Sequence, residues 1–320
     1  MTNFYGQYIG FGAGGAAAAS VPFQGSAYGY VCGGGSAGSS NPNDQIERYS
    51  FTSDGGGSDV GDLSAARGGN NCTQSATVAY TVGGGSGSGG WPANLTIIDK
   101  FTYASGGNAA AQTATLLANK SFGSTSCTQD FGYHAGSEYD SALDVIEKWS
   151  QVADTNSEDV GDLLAPKGRH AGATNIAAGF GYSMGSWTSS GLDVIERYSF
   201  ATGTQNAGNV GDLTSARGGV GQCSDINGYV SGGYEGSTSN VIDKFSFATD
   251  TQDGATNGTL STGRYWGSGT SSTTDGYTAG GDGSTSRLDK FSFATGTQNA
   301  GTIGATDIPR GNTGSQGFHF

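Results

Sequence analysis

Apolar and polar residues alternate in a short phrase that returns six times along the chain. It reads Ile46-Glu-Arg-Tyr-Ser-Phe51, Ile98-Asp-Lys-Phe-Thr-Tyr103, Ile146-Glu-Lys-Trp-Ser-Gln151, Ile195-Glu-Arg-Tyr-Ser-Phe200, Ile242-Asp-Lys-Phe-Ser-Phe247 and Leu288-Asp-Lys-Phe-Ser-Phe293. In an extended strand, Val194, Glu196, Tyr198 and Phe200 share one face, while Ile195, Arg197 and Ser199 share the other. Apolar residues on both faces with selected polar partners predict a strand sandwiched between neighbours. Successive copies start 52, 48, 49, 47 and 46 residues apart. In a β-rich chain, a near-constant period of that size points to the blades of a propeller.

A short strand ending in glycine precedes each phrase, as in Asn227-Gly-Tyr-Val-Ser-Gly-Gly-Tyr234. The glycine pair recurs as Gly33-Gly34, Gly84-Gly85, Gly232-Gly233 and Gly280-Gly281, and a single Gly136 or Gly185 holds the place in two units. Glycine at a strand end permits positive φ or close backbone approach, which predicts a crowded, barrel-like centre. A second phrase follows downstream: Val60-Gly-Asp-Leu63 before Arg67, Val160-Gly-Asp-Leu163 before Lys167 and Val210-Gly-Asp-Leu213 before Arg217. Degenerate versions precede Lys120, Arg264 and Arg310. The base inside the strand and the base after this phrase lie 19 or 20 residues apart in all six units. That hairpin is fixed in length, so the variation in period belongs to the other half of each unit.

Twelve of the 14 Lys and Arg residues occupy these two repeat positions, leaving only Arg169 and Arg287 outside them. The acids Glu47, Asp99, Glu147, Glu196, Asp243 and Asp289 recur just as regularly. Six copies of a charged pair predict scaffold pairing rather than six copies of a catalytic group. The net charge of −13 leaves no concentrated basic face, so no nucleic-acid partner is expected. Apolar runs such as Ala16–Ala19 fall far short of a membrane span, and no Lys or Arg precedes Arg48 to start a signal peptide. Gly makes up 60 of 320 residues, but an aromatic content of 11% argues for tight β-turns rather than disorder. Cys72, Cys127 and Cys223 follow a repeat base by five to seven residues, which predicts equivalent strands of separate blades. With Cys32 they are expected to be buried free thiols, since no pair has metal-ligand spacing and strands of separate blades diverge.

The Gly-Gly strand end, the aliphatic–acid–x–aromatic strand and the downstream Arg, at a period near 50, together resemble the kelch repeat. The usual Trp after the third strand is absent. The resemblance implies an all-β, six-bladed kelch-like β-propeller with four antiparallel strands per blade, its ring closed by the N- and C-terminal segments. The chain then forms one domain over 1–320, with repeat units at about 30–67, 80–120, 131–167, 180–217, 228–264 and 276–310. Residues 1–29 and 311–320 are left for ring closure or a docking arm. Phrases such as Phe200-Ala-Thr-Gly-Thr-Gln-Asn-Ala-Gly-Asn-Val-Gly-Asp-Leu213 also resemble Gly/Ser/Thr-rich repeat proteins of marine and cyanobacterial bacteriophage virions.

That second resemblance implies a non-enzymatic virion structural protein, assembled in the host cytoplasm, that decorates the particle or recognises the host surface at the tail. Its expected partners are other capsid or tail proteins and a host-surface glycan or protein. In an up-and-down blade, loops from second to third strand share a face with loops from blade to blade. These segments carry Trp91, Tyr139, Trp187, Tyr234, Tyr265 and Trp266, with His170 nearby. Rigid amphipathic aromatics on loops suit recognition of sugars or protein surfaces. The competing readings are an intracellular kelch-type adaptor and a galactose-oxidase-like enzyme. A copper site needs grouped His and Tyr ligands, whereas His134, His170 and His319 are scattered. No catalytic residue, metal site or cofactor is therefore expected.

Overall fold

The computed structural model describes residues 26–35, 42–86, 95–138, 142–188, 190–201, 206–252, 256–281 and 286–307. It is an all-β, six-bladed propeller of four-stranded antiparallel blades, with no helix among the described residues. Blade one contributes β1 (Tyr28–Cys32), β2 (Gln45–Ser50) and β3 (Ser58–Asp62). Blade two has β4 (Asn71–Gln74), β5 (Val78–Val82), β6 (Ile97–Thr102) and β7 (Ala110–Thr115). Blade three has β8 (Ser124–Cys127), β9 (Phe131–Ser137), β10 (Leu143–Ser150) and β11 (Glu158–Asp162). Blade four has β12 (Ala171–Asn175), β13 (Phe180–Trp187), β14 (Gly191–Ser199) and β15 (Gly208–Asp212). Blade five has β16 (Gly218–Cys223), β17 (Asn227–Tyr234), β18 (Thr238–Ser246) and an outer edge in two pieces, β19 (Thr251–Gln252) and β20 (Gly258–Thr259). Blade six has β21 (Ser268–Ser271), β22 (Asp275–Ala279), β23 (Arg287–Ser292) and β24 (Gly301–Ala305).

The innermost strands β4, β8, β12, β16 and β21 pack against one another around the axis. Their small residues make this possible. A Cβ on Gly221 would stand 2.0 Å from the Gly172 carbonyl oxygen, and one on Gly269 would stand 2.2 Å from that of Gly221. Each innermost strand comes from the connection that precedes its repeat unit. The segments expected to supply that strand for blade one, 1–29 and 311–320, lie outside the described residues apart from 26–29.

Two contacts repeat at every blade boundary. In the first, a base at the end of one unit pairs with the third-strand acid of the next. The pairs are Arg67–Asp99 (2.9 Å), Lys120–Glu147 (3.2 Å), Lys167–Glu196 (2.9 Å), Arg217–Asp243 (2.9 Å) and Arg264–Asp289 (3.0 Å), with every side chain at most 3% exposed. The acid also accepts a backbone N–H from three residues before the base, at Ser64, Leu117, Leu164, Thr214 and Ser261. At the closing boundary Asp307 N–H makes the same backbone bond, to Glu47 Oε2 at 2.8 Å, while the base of that joint, Arg310, lies outside the described residues. A buried charge needs a partner and hydrogen bonds, and each joint supplies both.

The second contact is aromatic. The second-strand Tyr of one blade lies against the paired third-strand aromatics of the next: Tyr30 on Phe101 and Tyr103, Tyr133 on Tyr198 and Phe200, Tyr182 on Phe245 and Phe247, Tyr229 on Phe291 and Phe293. Tyr80 reaches the third blade by packing with Trp149 and donating to the Gln151 carbonyl. Tyr277 of the sixth blade meets Tyr49 and Phe51 of the first, closing the ring. Each such pair adds about 0.5–1.5 kcal/mol beyond its burial.

The glycine strand ends have a more specific cause than a crowded centre. Gly232, at φ 60°, sits under the Arg264 carbonyl, where a Cβ would approach to 2.5 Å, and the Gly233 N–H donates to that carbonyl. Gly33, Gly83, Gly136 and Gly185 make the same room for Arg67, Lys120, Lys167 and Arg217. In the second blade the left-handed pair is thus Gly83-Gly84, one residue before the Gly84-Gly85 of the sequence reading. Glycine fixes the height at which each blade-to-blade connection leaves the loop face.

Candidate aromatic site at the axial mouth

Two residues past four of the bases, the connection turns sharply on its way to the axis. Gly69, Phe122, Arg169 and Trp266 all take left-handed backbone there, at φ 66°, 54°, 51° and 58°. Glycine adopts this conformation freely, whereas bulky L-residues do so at a cost of roughly 1–2 kcal/mol each. Three of these connections hold that strain, and all three send a large side chain over the same spot.

The Arg169 guanidinium lies 4.9 Å from the Trp266 ring centroid and 5.4 Å from that of Phe122. It is also ion-paired through Nε to Glu138 Oε2, the two side chains being 29% and 18% exposed. Phe122 leads into blade three and Trp266 into blade six, so they stand on opposite sides of the ring, yet their centroids are 6.4 Å apart. Together with Arg169 they roof the axial mouth. Beside them is a shallow pit of about 40 Å³, floored by Asn71, His170 and Gly218. Burial pushes the Glu138 carboxyl above its ordinary range, and Arg169 pulls it part of the way back.

From this roof an aromatic strip runs outwards across the face. Trp266 meets Tyr265 at 4.6 Å, Tyr265 meets Tyr234 at 5.1 Å, and Tyr234 meets Trp187 edge-on at 5.0 Å. Trp187 ends β13, Tyr234 ends β17, and Tyr265 and Trp266 follow the fifth base, so adjacent blades four to six deliver one continuous surface. All four rings are half-buried. The structure thus brings together four of the loop-face residues singled out from sequence.

The others fare differently. Trp91 and Tyr139 lie outside the described residues. His170 is a correction to the sequence reading: it is 2% exposed, with Nδ1 2.6 Å from Ser183 Oγ, because the turn at Arg169 sends the next residue inward. It belongs to the floor, not to the exposed surface. His134 is likewise buried, its Nε2 3.2 Å from Asn71 Oδ1. Burial, reinforced by neighbouring lysines, holds both imidazoles well below their ordinary pKa and therefore neutral.

Phe122, Arg169 and Glu138 were not singled out as site residues from the sequence. Arg169 carried a usable signal, being one of two cations outside the repeat positions. Among the described residues, no group of three His, Cys, Asp or Glu converges on a point that could hold a metal ion. All four cysteines are buried, and none is in a disulfide. Cys32 is nevertheless a neighbour of Cys72, whose thiol it holds below the usual range chiefly by a hydrogen bond, a contact across blades one and two that sequence spacing did not suggest. No family model matches the chain, and no curated protein matches it.

Proposed function

We propose that this kelch-like propeller is a non-enzymatic component of a bacteriophage particle, recognising the host surface through the loop face that bears the aromatic strip. The observation that carries this reading is the strip itself. Four half-buried rings from adjacent blades form one surface, which ends on three strained residues at the axis. Backbone strain kept at three equivalent positions points towards function, since Gly69 takes the same backbone in a sibling connection and shows that the fold does not need the larger residues. The buried repeated charges are spent within the blade joints, and the two histidines with described surroundings are neutral and hydrogen-bonded inside. Binding is thus better supported than turnover. The Gly/Ser/Thr-rich wording of the repeats favours a virion as the setting.

The test is to change Trp91, Trp187 and Trp266 together to Ala and measure particle assembly and host attachment. Lost attachment with intact assembly is expected. Attachment and assembly both at wild-type level would remove the recognition reading. Antibody labelling of purified particles separates its two forms: label at the tail supports host recognition, and label over the capsid makes the protein a decoration.

A further inference from the structure

We infer that the axial mouth and the adjoining strip bind a neutral oligosaccharide, with sugar rings against Trp266 and Tyr265 and hydroxyl groups on the Arg169–Glu138 pair. This rests on the recognition reading above and gives that reading a ligand class.

Three features of the site select the class. The first is charge. Arg169 is the cation at the mouth, and Glu138 already compensates it. Neither an anionic nor a cationic ligand finds a free counter-charge on this pair, and the net charge of −13 further opposes a polyanion. What the pair still offers is a rigid set of hydrogen-bond donors and acceptors at the surface, suited to hydroxyl groups.

The second is shape. Protein partners anchor through large side chains that fill a desolvated pocket, and a pit of about 40 Å³ admits none of them. A hydroxyl or hydroxymethyl group fits it, while the rest of the ligand lies on the face. The strip from Trp266 to Trp187 crosses several blades, so it offers several rings in succession to a short chain of sugars rather than to one.

The third is rigidity. Arg169 is held between two rings and a carboxylate, and the backbone beneath all three roof residues is fixed in a left-handed turn. A ligand therefore meets a preorganised surface and does not have to order it.

The left-handed backbone also supplies a clean variant. Gly69 occupies the same position in another connection with the same φ, so Trp266→Gly and Arg169→Gly keep a backbone that glycine is known to accept here. The full-length protein is titrated with chitotriose, maltotriose, lactose and sialyllactose, following tryptophan fluorescence and saturation-transfer NMR, with Tm measured for each variant. At least one neutral sugar is expected to bind. Trp266→Gly should weaken it about 10-fold or more at unchanged Tm, and Arg169→Gly should weaken it as well. Sialyllactose should bind no tighter than lactose.

Absence of binding by every neutral sugar overturns the inference. So does binding unchanged in both glycine variants, or sialyllactose binding tenfold tighter than lactose. The same sugars are added to the attachment assay. If the tryptophan variants lose attachment while no neutral sugar binds, recognition stands and the saccharide assignment falls. If attachment survives in those variants, the recognition reading falls whatever the sugars do.

Discussion

Two positions in each blade-to-blade connection, only two residues apart, follow opposite rules. The first is the base of the joint, a Lys or Arg in every unit, and each of the five among the described residues is buried and paired with the acid of the next blade. The second is the left-handed residue beyond it, which is Gly69 in one unit and Phe122, Arg169 or Trp266 in others. The first is repeated because every boundary poses the same electrostatic problem. The second is free to vary because only the axial mouth receives it. Within a repeat protein, the departures from the repeat are where recognition is to be sought.

The contrast breaks most visibly at a joint. Arg217 also donates from Nε to the Gly232 carbonyl, so Arg217→Met strips both Asp243 and that carbonyl of a buried partner. A loss of about 3–5 kcal/mol is expected in chemical denaturation, and a double Arg217→Met, Asp243→Leu variant should recover much of it. If the single and double variants are equally unstable, the joint acts by packing and not by charge.

A smaller effect is expected from the histidines beneath the mouth. Unfolded imidazoles gain protons near pH 6.5, whereas His134 and His170 gain them only well below it in the folded state. In that window the unfolded chain binds more protons, so stability rises with pH and is lost as pH falls below 6.5. Each histidine contributes up to about 1.4 kcal/mol per pH unit, or about 3 for the two together. A His134→Asn, His170→Asn protein should show a visibly flatter slope of stability between pH 6.5 and 5.5.

The smallest effect belongs to the mouth. Phe122→Gly releases left-handed strain but gives up ring contacts and adds freedom to the unfolded chain. These terms nearly cancel, and a stability change within about 1 kcal/mol is expected by the same denaturation assay. A loss as large as that of Arg217→Met would make Phe122 part of the scaffold and erase the distinction between the two positions.

The fold was legible because its determinants are local and repeated: an alternating phrase, a glycine strand end and a fixed hairpin length. The members of the joints were legible too, but their pairing across blade boundaries was not, since spacing alone does not say which acid meets which base. Trp187, Tyr234, Tyr265 and Trp266 could be placed on one face from strand order. Phe122 and Arg169 could not be added to them, because two things are invisible in a linear pattern. One is the left-handed turn after the base, which bulky residues seldom adopt; the other is the crossing of the axis that brings opposite blades together. The same turn misplaced His170, sending it inward when its neighbour goes out.

The closing joint has a consequence for how the molecule assembles. The Thr214 N–H and Asp243 lie 29 residues apart in the chain, whereas Asp307 and Glu47 make the equivalent contact across 260. Five boundaries can thus form between adjacent units, and the last waits for the two ends of the arc to meet. Because the closing boundary keeps the backbone bond to the third-strand acid and the aromatic contact of the other five, the place where the arc opens is not written into these contacts. Joining the termini and reopening the chain at another boundary would move the long contact elsewhere while leaving the finished ring the same.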